Sequence, residues 1–305
     1  MSNIKISLCL CIWNNSHLLK RSIHSYMNQT MDTNEYEIIL VNDDSKDDVL
    51  EIIQPLFNLP NFTYIHMKHP YGMRGCTFGF NTAFKIAQGE ILAETTGETI
   101  LPPDALQIMY DNAMAGRNFC AMKTYNLTPE LQFKIDDVDW KSDINNVKSL
   151  EGFDNPWTMN NVDNQHFGTH QTSSLKKELF FELFPNGYPL FADYGSEDPF
   201  FCGTRSQNGI KDITIMQPMA IHQWHAPFQY WQSKGYAPHL NKWAHSTSNF
   251  MGDKSGKVPD GGTRYIWDME HASTFDSPDE MLSQEEIDNY SKMDDIIRRT
   301  GCKLV

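Results

Sequence analysis

Short, almost unbroken apolar runs alternate with helical periodicities through the first 125 residues. Residues 5–12 (KISLCLCI) and 36–41 (YEIILV) read as strands buried on both faces, since a strand covered on each side needs no polar alternation. Between them, HLLKRSIHSYMNQ sets Leu19, Ile23 and Tyr26 at helical spacing, with Asn15 or Ser16 placed to cap its start. Strand, helix, strand implies a right-handed crossover and a parallel sheet. The pattern then repeats. A strand at 62–67 (FTYIHM) precedes a helix with Phe80, Ala83, Phe84 and Ala87 on one stripe, stopped by Gly89. A strand at 90–95 (EILAET) leads to a helix entered through Pro102-Pro103 and ended near Gly116, and another strand follows at about 118–125. This is the pattern of a doubly wound α/β half.

From 126 to 167 the periodicity is lost, and the stretch is polar, Asn/Asp-rich and dotted with Trp. Loops of that length inside a compact domain are usually functional. Residues 172–184 (TSSLKKELFFELF) read as helical and run into the turn PNGYP. An aromatic stretch at 228–243, a Gly/Asp/Lys-rich loop at 251–262 and an amphipathic helix at about 283–299 complete the chain, the helix carrying Ile287, Tyr290, Met293 and Ile297. The loop at 251–262 suits either a closing lid or a plain surface loop.

Composition narrows the possible partners. The chain has 305 residues, 40% apolar and 12% aromatic, enough for a sizeable core. It carries 25 basic against 39 acidic residues, a formal charge of −14, which argues against a nucleic-acid or anionic-membrane surface. An anionic ligand must then be held locally or through a metal ion. No apolar run is long enough to span a membrane, and the N-terminus reads as a first strand rather than a leader. The six cysteines are scattered, and the close pair Cys9 and Cys11 shares one strand face, a poor disulfide geometry; a reducing, cytoplasmic setting is expected.

Three clusters carry chemistry. Asn42, Asp43 and Asp44 follow the second strand, where ligands sit in parallel sheets; they suit hydrogen bonds to a base or ribose, or an ordinary turn. Glu98 follows the strand at 90–95 and offers an oxygen to Mg²⁺ or Mn²⁺, or caps a loop. The third is FADYGSEDPFFCGTR (191–205) with IHQWHAPF (221–228). Glu197 and Asp198 suit a pair in which one carboxylate orients a hydroxyl and the other removes its proton. Arg205 can pair with them or form a structural ion pair, and His222 and His225 can offer imidazoles to a metal or pack at a strand end.

In this order the residues resemble the family 2 glycosyltransferases of the GT-A fold over about residues 4–228. The resemblance rests on Trp13-Asn14 after the first strand, Gln29 closing the first helix, and Asn42-Asp43-Asp44-Ser45 for an Asp-Asp-x-Ser turn. It continues through Asn81, Gly89-Glu90 and Pro103-Asp104. The family's Asp-x-Asp metal motif falls on Thr96-Gly97-Glu98, so only the second acid, the usual direct ligand, is kept; Glu94 is an alternative register within the strand. Gly195-Ser196-Glu197-Asp198 resembles the Gly-x-Glu-Asp segment of galactosyl- and N-acetylgalactosaminyl-type transferases, in which a later histidine completes the metal site. His225 matches that place, with His222 as the alternative.

The resemblance implies a Rossmann-like, mostly parallel sheet flanked by helices. It divides the chain into a nucleotide-sugar-binding half (1–125), an acceptor-binding and catalytic half (126–228) and a C-terminal extension (229–305). It further implies an inverting hexosyltransferase that moves a sugar from a UDP-type donor to a hydroxyl of a carbohydrate-type acceptor. In it Trp13, Asn14, Asp43, Asp44, Asn81 and Thr96 bind the nucleotide, and Glu98, His225 and His222 hold Mn²⁺ or Mg²⁺. Asp198 acts as base beside Glu197. The aromatics at 126–167 and 228–243 suit stacking on sugars or packing the extension on the core. A nucleotidyltransferase is disfavoured because residues 13–16 lack a Gly-rich basic loop. The rival of a different class is a degenerate transferase that only binds glycans or a partner, motivated by Thr96.

Overall fold

The computed structural model describes residues 4–67, 76–153, 172–188, 201 and 204–225. Among these, eight strands form one sheet: β1 (Ile6–Ile12), β2 (Tyr36–Asn42), β3 (Phe62–His66), β4 (Ile91–Thr96), β5 (Thr99–Ile100), β6 (Asn118–Asn126), β7 (Thr172–Lys176) and β8 (Lys211–His222). Their order is β3-β2-β1-β4-β7-β6-β8-β5. β3, β2, β1 and β4 are parallel, β7 is antiparallel to β4 and β6, β8 is parallel to β6, and β5 is antiparallel to β8.

The helices are α1 (Ser16–Met27), α2 (Val49–Ile52), α3 (Thr77–Ile86), α4 (Ala105–Met114), α5 (Pro129–Lys134) and α6 (Lys177–Leu183). Ile6, Leu8, Leu10 and Ile12 of β1 pack with Leu19 and Ile23 of α1 and Leu106 and Met109 of α4. On the opposite face, Cys9 packs with Phe80 and Phe84 of α3 and Phe180 of α6. The central strands are thus covered on both sides, which explains their continuous apolar runs. No helix among the described residues is long and apolar enough to cross a membrane.

The chain passes from β1 to β2 and β3 on one side and then to β4 on the other, so the strand order reverses between β1 and β4. That reversal opens a crevice at their carboxyl ends. The far side of the sheet curls. β4 and β5 stand four strand steps apart, about 19 Å in a flat sheet, yet Thr96 and Thr99 are joined by a link reaching at most about 11 Å. The β6–β8 ladder accommodates the bend by a register shift between Met122 and Thr124. This curl brings the end of β8 back over the end of β4.

Several expectations need correction. Residues 172–184 are not one helix: Thr172–Lys176 forms β7, wedged between β4 and β6, and the helix begins only at Lys177. The apolar spacing of a helix is present only from Leu179 onward, and the Ser-rich start is claimed by the ladder. The region after β6 is also less irregular than its polarity suggests. α5 and two short 3₁₀ turns bury Leu131, Ile135, Trp140, Ile144 and Val147 against Tyr125, Ile100 and Ile221, a third apolar core. β5 and β8 carry no strand pattern in the sequence; β8 is half exposed and contains Pro218. Asn15 occupies the cap position of α1, but the side chain that accepts there is Asp47, whose Oδ2 takes the Ser16 N–H at 2.8 Å.

The segments at 228–243, 251–262 and 283–299 lie outside the described residues, as do Glu197 and Asp198.

Candidate functional site

The crevice between β1 and β4 is lined by the turns that follow the strands. The two turns after β1 and β2 are stitched together: Asn14 N–H donates to Ser45 Oγ at 3.0 Å and Lys46 N–H donates to Asn14 Oδ1 at 2.7 Å. Asn42 Oδ1 accepts from Ser45 N–H at 2.9 Å. Asn14 (φ 55°) and Asp44 (φ 58°) both adopt the left-handed conformation, which Asn and Asp tolerate better than other side chains. Asp43 is buried, and its N–H is held by the Ile12 carbonyl at 2.9 Å. Asp44 pairs with Lys46 at 2.7 Å and faces His66 at 3.5 Å. Trp13 is half-buried at the end of β1.

The turn after β4 is equally fixed. The Tyr26 hydroxyl lies 2.7 and 2.9 Å from the carbonyl oxygens of Thr96 and Thr99, and the two threonine hydroxyls are 2.8 Å apart. Burial pushes the Tyr26 hydroxyl well above its usual pKa, so it stays a donor. Gly97 has no room for a side chain: a Cβ there would stand 2.7 Å from Ile12 Cγ2. The backbone therefore packs onto β1, and Glu98 is carried out of the turn.

Glu98 meets the end of β8. His222 Nε2 lies 3.7 Å and His225 Nε2 3.6 Å from Glu98 Oε1, and the two rings are 5.1 Å apart. One ligand atom from each of the three residues falls within 4.8 Å of the others. Two ligands at about 2.1–2.2 Å from one ion stand up to about 4.4 Å apart, so both contacts with Glu98 have the spacing of groups round a cation. Burial alone would raise the Glu98 pKa. The facing imidazole of His222 and the charge of His225 and His222 more than offset it, so the carboxyl is held below its ordinary value. One carboxylate oxygen and two imidazole nitrogens are a donor set that a divalent cation can use.

What aligns these three residues is a buried polar network that the sequence did not reveal. Gln223, between the two histidines, is fully buried; its N–H donates to the Glu98 carbonyl at 3.0 Å. Its side-chain amide lies 2.9 Å from Leu18 O, 3.2 Å from Ser22 Oγ and 3.1 Å from Glu98 O. Its Oε1 accepts from Arg21 at 3.0 Å, and Arg21 also pairs with Asp136 at 2.6 Å. Gln132 Oε1 accepts from Trp224 N–H at 3.1 Å, and Trp140 Nε1 donates to Asp136 at 3.1 Å. Helix α1 and the third core thus grip the strand end from two sides. In sequence, a Gln between two His and an Arg in a helix look like solvated residues.

Three other expected residues have different surroundings. Asn81 is engaged at both ends of its amide by the Tyr188 backbone, at 2.8 and 2.7 Å, so its described contacts are those of a clasp between α3 and the turn after α6. Glu94, the alternative metal register, is buried within β4 and accepts from the Tyr188 hydroxyl at 2.5 Å. Arg205 is fully buried between the rings of Phe119 and Phe201, and its acidic partner among the described residues is Asp212, at 3.1 Å. That ion pair ties Arg205 to the start of β8, the structural pairing expected as one alternative; the acids at 197 and 198 lie outside the described residues.

Comparison with known proteins bears on the family and the fold. The family model described as "Glycosyl transferase family 2" matches residues 7–160. A poly(ribitol-phosphate) beta-glucosyltransferase of Bacillus spizizenii is 32% identical over 109 residues, 35% of this chain and 17% of that protein. A chondroitin synthase of Escherichia coli is 26% identical over 122 residues, 40% of this chain and 17% of its own length. The chain thus aligns with under a fifth of these two proteins. Among solved structures, S. aureus TarS 1-349 in complex with UDP-GlcNAc superposes with a TM-score of 0.55 at 15% identity, over 73% of this chain and 60% of that one.

Proposed function

The chain belongs to glycosyl transferase family 2 and has the GT-A fold, and from that premise we propose that it moves a hexose from a UDP-sugar to a hydroxyl of a glycan-type acceptor. The observation that carries this reading is the convergence of Glu98, His222 and His225 at the carboxyl edge of the sheet, beside the crevice formed by the ends of β1 and β4. A neighbour of the same fold in complex with UDP-GlcNAc and a relative that is a beta-glucosyltransferase support it.

In this reading the buried Asp43 carboxylate accepts from the base, and Asn14 and the 43–46 turn hold the ribose. Glu98, His222 and His225 would hold Mn²⁺, which when bound supplies positive charge to a departing diphosphate. Asp198 takes the proton of the acceptor hydroxyl while its oxygen attacks the anomeric carbon from the face opposite the leaving group. The new C–O bond forms as the bond to the phosphate oxygen breaks, the electron pair leaves with UDP, and configuration inverts. Glu197 orients the acceptor. Proton removal by one placed carboxylate contributes about 10²–10⁴-fold.

Calorimetry with UDP, with and without Mn²⁺, tests the first part: binding should require the metal and be lost in Glu98→Ala. Asp198→Asn should lose transfer and keep UDP binding. Full turnover in that variant removes Asp198 from the mechanism, and metal-independent UDP binding removes the cluster.

A further inference from the structure

Asn126 closes β6, and its register partner on β8 is His222. Residues in register on adjacent parallel strands project to the same face, about 4.8 Å apart. The Leu127 N–H donates to the His222 carbonyl at 2.9 Å, which pins the two strand ends together. The Asn126 side chain therefore stands beside an imidazole of the candidate metal cluster. It is only 8% exposed, and neither its amide nitrogen nor its amide oxygen has a hydrogen-bond partner. The other buried amides near the cluster, Gln132 and Gln223, are bonded at both ends. A buried carboxamide with both ends unsatisfied works against folding, and such groups call for a partner that arrives from outside.

We infer that the Asn126 carboxamide binds the sugar ring of the donor and helps to select it. The inference rests on the proposed UDP-sugar reading, in which the cluster beside Asn126 faces the diphosphate. A diphosphate offers acceptors only and would satisfy only the amide's N–H groups. A sugar hydroxyl both donates and accepts, so one hydroxyl, or a vicinal pair, satisfies the nitrogen and the oxygen of one amide. The donor sugar is bonded directly to the phosphate, which places its ring within reach of a side chain one strand away from His222. The nucleobase, at the β1–β2 turns, is not.

The test uses Asn126→Leu, which keeps the side chain's shape and removes both polar atoms. UDP alone, UDP-N-acetylglucosamine and UDP-glucose are titrated with Mn²⁺ into wild type and variant, and the melting temperature of each free protein is recorded. The variant should melt at the same temperature or higher, bind UDP unchanged, and bind the preferred UDP-sugar at least tenfold more weakly. Unchanged UDP-sugar affinity overturns the inference. So does a lower melting temperature, which assigns the amide to the fold, or an equal loss for UDP and UDP-sugar, which assigns it to the metal cluster. A variant that keeps donor affinity and raises only the acceptor KM overturns the donor assignment. Wild type that binds neither UDP nor UDP-sugar removes the parent reading and this inference with it.

Discussion

On one side of the crevice, β3, β2, β1 and β4 are parallel, all but the half-exposed β3 are covered on both faces, and the strands end in turns stitched by backbone and Asx hydrogen bonds. On the other, β7, β6, β8 and β5 run in mixed directions, curl, and position their chemistry through Gln223, Arg21, Gln132 and Asp136. The first side depends on apolar packing of side chains next to one another in local patterns. The second depends on buried polar groups at residues 21, 132 and 223, each of which must be satisfied, with the exposed Asp136 closing the network at its edge. Shape defects should therefore cost the first side stability with little change at the site, whereas a single lost partner on the second should alter the site at modest cost in stability.

Phe84 offers the strongest break. It is buried among Phe80, Phe180 and Tyr188, in the apolar core that does not include the cluster. Phe84→Ala should lose about 3–5 kcal/mol in urea denaturation and keep the Mn²⁺-dependent UDP affinity while folded. Weakened UDP binding in the folded variant would erase the distinction between the two sides.

Gln223→Ala is the complementary case. It strands Arg21 and the Leu18 carbonyl, so about 1–3 kcal/mol of stability should go. The larger change should be at the site, with Mn²⁺-dependent UDP affinity falling at least tenfold because Glu98 and the two histidines lose their common brace. Equal affinity in that variant would reduce the network to packing.

The smallest effect concerns acid. Burial would raise the Asp136 pKa, but hydrogen bonds from Arg21 and Trp140 outweigh it and hold the carboxyl below its usual value. Its contribution is complete above the ordinary carboxylate pKa of about 4 and fades as pH falls through the lower folded value. The stability gap between wild type and Asp136→Asn should then narrow as pH falls below about 4, as read by urea denaturation at each pH. A gap that does not change with pH would show that Asp136 acts as a neutral hydrogen-bond acceptor.

The same contrast governs what the sequence discloses. β1, β2, β4, α1, α3 and α4 are legible because a buried strand between two helical layers must be written as an apolar run, and a covering helix as a stripe. Glu98, His222 and His225 are legible because they follow strand ends in a recognisable order. β7 is not: its Ser173 and Ser174 are buried polar residues, with Ser174 Oγ lying 3.3 Å from the Met109 carbonyl, and no alternation marks them. β8 is half exposed and interrupted by Pro218. Gln223, Arg21 and Asn126 are hidden for a further reason. Whether an amide or guanidinium is buried depends on elements about ninety or more residues away in the chain, and no local pattern records them.

The turn at Thr96-Gly97-Glu98 has an electrostatic consequence of its own. Two acids in that turn would cancel the charge of a divalent ion almost completely. In the proposed site, one carboxylate with two neutral imidazoles would leave one unit of the ion's positive charge uncancelled. With the Thr96 hydroxyl 2.8 Å from that of Thr99 where the family carries the first acid, the proposed site would trade grip on its cation for pull on the anion that the cation meets.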